Sequence, residues 1–522
     1  MGLLSLQFYL IFAIILLVYY LLPGKFQWMW LFAGGIFLYS INSRPYQLIT
    51  FVVIIIINFA GSMAFEDGKS AGIYKAVIIT DIFMLVILKY NSSLFRVANM
   101  CLRPFGAAIP EDVINNAGSI IDSICPVGMS YFMLILIGYI TSVHWGKMGA
   151  LKNPLKMVLI TSYFPLMTSG PIIECSETEG YLFNDEKKHF SSENLTKGLL
   201  RILWGVFKKL VISERLALIV NTIYDNYEAY TGLYIMLAAA LFTIQLYTDF
   251  SGLMDIVLGI SRVLGIPLPE NFKTPFYAST LAEFWRRWHI TLGTWLRNYV
   301  FYPLQRSKMI SKLRKSCKKV LGRGYEKKYN IPMYVCLFIT WFLIGFWHGG
   351  DFKYIFGVGI YMGVIIILSD ILQPVFGKII QITRINTECF SYRLFTRIRT
   401  FIIFTIGNSF FRASSAGDGF RMWYLAFSRF NPWILFNGAL YNLGLDRREA
   451  GIVVLGLILL FIVSYFQHRE EIRGSGQSAG DLIMRQNILF RLMVFSALFA
   501  MIIVWAHYGS TFNAQDFIYG GF

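Results

Sequence analysis

Apolar stretches of membrane-crossing length recur along almost the whole chain, at roughly 3–22, 27–42, 46–66, 72–90, 119–143, 154–173, 229–248, 331–347, 352–373, 398–412, 450–467 and 486–507. About 20 apolar residues make one helical crossing, and in a bilayer every backbone amide must find its partner inside the protein. The pattern therefore predicts an all-α, polytopic membrane protein. It implies about 11 to 13 transmembrane helices, some only half-spanning, together with re-entrant or amphipathic helices. A chain with 56% hydrophobic and 15% charged residues is not an ordinary soluble protein. The first stretch has no charged start and no small-residue cleavage site, so it reads as a retained anchor.

A net charge of +17 could suggest nucleic acid, but the basic residues gather in short loops between apolar stretches. The positive-inside rule explains that placement better, and no nucleic-acid partner is expected. Between Gln305 and Asn330 stand Arg306, Lys308, Lys312, Arg314, Lys315, Lys318, Lys319, Arg323, Lys327 and Lys328 against the single acid Glu326. That loop is expected to be cytoplasmic. Counting onward puts Arg384–Arg399 inside, Ala413–Arg448 outside, His468–Arg491 inside and the tail after His507 outside. Lys25, Lys69, Lys75 and Lys147–Lys156 fit the inside. The six cysteines, Cys101, Cys125, Cys175, Cys317, Cys336 and Cys389, are scattered without metal-binding spacing, and no metal site is expected. The sequence lacks GxxxxGK[ST], a helix-opening GxGxxG and HExxH, so nucleotide hydrolysis, dinucleotide binding and zinc proteolysis have no support. Without an internal repeat or linker, residues 1–522 read as a single membrane domain.

Two histidines stand at the edges of apolar stretches, where an imidazole needs a reason to be. The first ends Phe284-Trp285-Arg286-Arg287-Trp288-His289. On one continuous helix, Arg286, His289, Gly293 and Arg297 would share a polar stripe about 80° wide, opposite Trp285, Trp288, Leu292, Trp295, Leu296 and Tyr299. This predicts an amphipathic helix at the inner interface. The second lies in Gly345-Phe346-Trp347-His348-Gly349-Gly350, where the glycines clear space around the ring and Trp347 offers a rigid wall. A narrow polar slot is one reading, and close helix packing through the glycines is the other. Asp249, inside an apolar stretch, is expected to pair with an arginine, and its spacing from Asp255 argues against an acid pair. Asp81 and Asp370 read as packing or solvation sites.

Taken together, FWRRWHITLGTWLRNYVFYPL at 284–304 and GFWHGG at 345–350 resemble the paired histidine signatures of the membrane-bound O-acyltransferase family, closest to its bacterial polysaccharide-modifying branch. Tyr247-Thr248-Asp249-Phe250-Ser251-Gly252, Pro269-Glu270-Asn271-Phe272 and Ser169-Gly170-Pro171-Ile172 look like further family landmarks. The likeness runs from about 160 to 412. Alginate-type relatives carry another histidine after the proline matching Pro165, where this chain has Leu166-Met167.

The resemblance implies a central channel, with His348 as the essential residue and His289 assisting or also essential. Asn271, Asp249, Trp285, Arg286 and Trp347 would support the site. It also implies a bacterial cytoplasmic membrane location and acetyl-CoA as a cytoplasmic donor substrate, with no tightly bound cofactor. Membrane lipids, a secreted or anchored SGNH-type acetyltransferase and a polysaccharide synthase complex would be the partners. Alginate- or cellulose-like polymers would be the acceptors. The length beyond about 420, with extra C-terminal crossings at about 450–507, resembles the acetylating group more than the D-alanylating one, which stands as the alternative. Acyl transfer needs a base for the acceptor hydroxyl and donors for the oxyanion, and His348 suits either a base or a nucleophile. The two rings are expected to do different jobs, with His289 near the cytoplasmic donor and His348 deeper. A transporter or flippase is the rival from another class, and it would call for two similar halves with paired broken helices.

Overall fold

The computed structural model describes residues 2–66, 70–184, 186–322, 324, 329–506 and 518. Lys69, Arg323, Glu326, Lys327, Lys328 and the tail from His507 on, apart from Ile518, lie outside the described residues. Helices dominate. Among the described residues the one extended pairing is an isolated antiparallel bridge between Phe272 and Trp288.

Seven helices among the described residues have the length and composition to cross a membrane: Pro45–Phe65, Ala71–Lys89, Leu233–Val263, Ile331–Gly349, Phe352–Thr383, Arg447–Ile472 and Ile488–Trp505. Glu111–Ile124 and Met129–His144, bent by 61°, form an eighth if they are one crossing. The chain is thus a multi-pass membrane protein, with fewer full-length spans than the apolar stretches suggested. The reasons are local. Stretch 154–173 stops being helical at Ser162, because Pro165 sits in the 3-10 turn Phe164–Leu166 and Pro171 follows. Proline has no N–H to donate and turns the preceding residue away from helix. Leu6–Leu21 is helical but only 16 residues long, and Phe390–Arg412 carries Arg393, Arg397 and Arg399. The basic stretch is itself partly helical. Lys308–Leu321 buries Ile310 and Cys317 and exposes its lysines, the pattern of an interfacial helix.

Contacts distinguish two compact units, and the helix Leu233–Val263 contributes to both. The first is built from Met1–Ile202 and Met254–Pro269. Its centre is Met129–His144, buried from Met129 through Val143, so that helix has no solvated face. Asp81, fully buried there, accepts a hydrogen bond from Asn58 Nδ2 at 2.8 Å. Asp255 pairs with Arg201 Nε at 2.9 Å.

The second unit, from Leu203–Leu253 and Glu270–Ile518, holds both histidine motifs. Here the helix Ile331–Gly349 packs against the segment from Phe352 onward at backbone distance. A Cβ on Gly345 would come within 2.7 Å of Ile355 Cα, and one on Gly359 within 2.9 Å of the Trp341 carbonyl oxygen. Asp370 accepts from Tyr334 Oη at 2.7 Å.

Candidate active site

The segment around His289 is not one helix. Leu281–Arg287 starts at Thr280, whose hydroxyl accepts from Glu283 N, and it ends at Trp288, which is extended with φ −116° and ψ 129°. His289 then adopts φ 46° and ψ 51°, and a second helix runs from Ile290 to Leu296. A non-glycine residue in the left-handed region is uncommon, though histidine tolerates it better than most. Such a conformation costs on the order of 1–3 kcal/mol and persists where surrounding contacts over-determine it. Those contacts come from Asn271–Lys273: Lys273 N donates to Arg287 O at 2.9 Å and Ile290 N to Asn271 O at 3.0 Å.

The predicted polar stripe therefore does not exist. The break turns His289 inward to 2% exposure, whereas Arg286, Gly293 and Arg297 stay exposed. Arg286 is not brought to the ring. Its neighbour Arg287 is the anchored arginine, held by Glu283 at 3.0 Å and Glu471 at 2.7 Å.

Around His289 the support is dense. Asn271, 1% exposed, presents Oδ1 to three groups: Thr291 N at 3.1 Å, Thr291 Oγ1 at 3.0 Å and His289 Nδ1 at 3.3 Å. Phe250 meets the imidazole edge-on at 4.8 Å and Trp347 does so at 6.0 Å. Burial pushes the imidazole down from its ordinary value to about 3, so the ring is neutral near pH 7.

His348 packs on the same indole. It sits in the last turn of Ile331–Gly349, where Gly350, at φ 72°, closes the helix with its N–H on Phe346 O. Its ring, 2% exposed, stands edge-on to Trp347 at 5.0 Å and to Phe411 at 5.7 Å. With 6.0 Å and 5.0 Å as two sides of a triangle through Trp347, the two imidazole centroids are at most 11 Å apart. The break and the packed helices bring both rings to one indole.

The glycines also resolve. Gly345 is filled by the backbone of Tyr354 and Ile355, and a Cβ on Gly349 would lie 2.4 Å from the Tyr354 ring. They serve close helix packing and do not line a slot. Trp285 packs on Trp341 at 4.9 Å, and its buried indole N–H has no hydrogen-bond partner among the described residues. Next to Trp288, Tyr247 forms part of the lining of an apolar cavity of about 190 Å³, with Phe276, Tyr277, Leu457, Leu460 and Phe461.

Asp249 lies one residue before Phe250 but outside the histidine contacts. Its partner is a lysine and not the expected arginine: Lys209 Nζ reaches Asp249 Oδ1 at 2.7 Å and Glu214 Oε1 at 2.7 Å, with all three residues buried. Ile518 N donates to Asp249 Oδ2 at 2.8 Å. Sequence reasoning passed over Lys209, Glu214, Thr291 and Arg287. Lys208-Lys209, set between Val206-Phe207 and Leu210-Val211, was the available signal for the first two. Among the described residues no group of three or more His, Cys, Asp or Glu has metal-holding geometry.

A sequence model of the membrane-bound O-acyltransferase family matches residues 152–319. That stretch includes Asp249, Asn271, Trp285, Arg286 and His289, and it stops short of Trp347 and His348. The chain is similar to the probable alginate O-acetylase of Pseudomonas syringae pv. tomato, with 28% identity over 356 residues, 68% of this chain and 61% of the relative. It is also similar to the peptidoglycan O-acetyltransferase of Helicobacter pylori, with 30% identity over 206 residues, 40% of this chain and 36% of the relative. With the teichoic acid D-alanyltransferase of Bacillus subtilis it shares 30% identity over 228 residues, 42% of this chain and 52% of the relative. The similarity thus spans about three fifths of the alginate-named relative's length.

Proposed function

We propose that this chain, which a sequence model of the membrane-bound O-acyltransferase family matches over residues 152–319, is the membrane subunit of a polysaccharide O-acetylation system in a bacterial cytoplasmic membrane. It takes an acetyl group from cytoplasmic acetyl-CoA, a substrate and not a resident cofactor. The group crosses to an SGNH-type partner that works beside a polysaccharide synthase complex. The observation that carries this reading is the pair of buried histidines that both contact the Trp347 indole, one of them held in place by Asn271.

In the proposed chemistry, His348 removes the proton from the acceptor hydroxyl as its oxygen attacks the thioester carbonyl. Collapse of the tetrahedral oxyanion breaks the C–S bond, and the imidazolium returns the proton to the departing thiolate. An ester and a free thiol account for every atom. Rings only 2% exposed keep out the water that would hydrolyse the thioester, and the neutral His289 is placed to accept a hydrogen bond from the attacking hydroxyl.

The test uses inverted membrane vesicles supplied with radiolabelled acetyl-CoA, the SGNH-type partner and the polymer. Label entering the polymer, and its loss in His348→Ala, is the expected result. Transfer from a D-alanyl carrier protein and none from acetyl-CoA would replace the acetyl reading with the D-alanyl one, which the Bacillus subtilis relative favours. Transfer from neither donor would overturn the acyltransferase reading.

A further inference from the structure

We infer that Asn271 and Thr291 form a tautomer lock that holds His289 with its proton on Nδ1, leaving Nε2 as the basic nitrogen of the ring. The argument is one of donors and acceptors. Thr291 N–H can only donate, and it meets the Asn271 side chain at 3.1 Å, so the atom facing it is the amide oxygen and not the amide nitrogen. Thr291 Oγ1 lies 3.0 Å from the same oxygen. That oxygen has no proton to give, so the hydrogen bond to His289 Nδ1 at 3.3 Å is donated by the imidazole. In a neutral ring, a proton on Nδ1 excludes one on Nε2.

The backbone holds the lock in register. Ile290 N donates to Asn271 O at 3.0 Å, the bridge from Phe272 to Trp288 follows directly, and His289 at φ 46° turns its ring back over Asn271. Without that turn, the helical geometry expected from the sequence would carry the imidazole away from the 271 segment. Among the described residues, Phe250 and Trp347 pack on the ring and Asn271 hydrogen-bonds it, none of them charged. Asn271 and Thr291 are thus positioning residues, acting on the reaction through His289. This deepens the proposed function and rests on His289 belonging to the acyl-transfer site.

Two measurements test it, the first independent of activity. In protein labelled with ¹⁵N in histidine only, the His289 resonances are those lost in His289→Gln. Wild type is expected to show a protonated Nδ1 and an unprotonated Nε2. Asn271→Leu, which keeps the side chain's bulk and removes the acceptor, is expected to give signals averaged between tautomers. A wild-type ring protonated on Nε2, or an Asn271→Leu ring still protonated on Nδ1, overturns the lock.

The second measurement is the pH–rate profile of label transfer. Asn271→Leu is expected to lose up to about 10²–10⁴-fold, the range for losing a positioned acid–base group. Asn271→Asp still accepts from Nδ1 and from Thr291 and adds a negative charge that favours the protonated ring. It is expected to recover most of the rate, with the acid limb moved to higher pH. Equal loss in both variants with an unmoved acid limb is the result of a merely structural role and overturns the proposal. If His289→Gln transfers label at the wild-type rate, the acyl-transfer role of His289 fails, while the nitrogen spectra still decide the lock.

Discussion

His289 and His348 reach the same indole by opposite means. His289 is held by polar detail: a left-handed backbone residue between two short helices, an isolated bridge and an asparagine oxygen shared by three donors. Among the described residues, what holds His348 is packing, at the end of a 19-residue apolar helix pressed onto its neighbour through glycines. The contrast teaches that a buried imidazole can be aimed by hydrogen bonds or by shape. Damage to the hydrogen bonds around the first should register mainly in chemistry, and damage to the glycine packing behind the second in folding as well.

The sharpest break in that comparison is His348→Ala. Removal of a base from a well-packed helix end is expected to lower transfer by about 10²–10⁴-fold, with membrane insertion and thermal unfolding in detergent close to wild type. Activity within a few-fold of wild type would place the base elsewhere.

The next largest effect concerns the ion cluster beside Phe250. Lys209→Met leaves Asp249 and Glu214 buried without their lysine, and losing one partner of a buried pair costs about 3–5 kcal/mol. Thermal unfolding should fall sharply. An unchanged melting temperature would mean that the carboxylates take up protons or other partners at little cost.

Gly345→Val probes the shape-held side. Overpacking costs about 1–3 kcal/mol, and a Cβ there already meets Ile355 Cα at 2.7 Å. Lower stability with residual activity in the protein that folds would support a packing role, whereas normal stability with abolished transfer would return the glycine to the reaction.

The smallest effect is the acid sensitivity contributed by His289. Its folded value lies at about 3, against an ordinary value of 6.5. Between those values the unfolded chain binds a proton that the folded one refuses. The contribution is therefore complete above pH 6.5 and is lost as pH falls toward 3, with a slope of at most about 1.4 kcal/mol per pH unit. His289→Gln is expected to unfold with a weaker dependence on pH over that range. An identical dependence would mean that the ring is not buried as a neutral group.

The sequence made the membrane class legible because apolar length is a property of composition, and it picked out both histidines because an imidazole is conspicuous in such surroundings. What it concealed were matters of backbone. The 3.6-residue period of 284–304 is satisfied on paper, and nothing in it announces that Trp288 will pair with Phe272 or that His289 will enter the left-handed region. The Asn271–His289 contact depends on that break, so it was out of reach of a helical wheel. Lys209 was hidden for another reason. A lysine pair reads as a solvated loop charge until the partner carboxylate, forty residues away in sequence, is placed beside it.

The close approach of Ile331–Gly349 to the segment after Phe352 bears on how the protein would look to a deep mutational scan. Scored by polymer acetylation alone, Gly345, Gly349, Gly359 and His348 would all be intolerant, and the whole motif would be painted as catalytic. Scored by abundance, the glycines would stay intolerant because no methyl fits, while position 348 would accept several residues. The ratio of the two scores would then reduce a six-residue signature to the one side chain whose identity the proposed reaction requires.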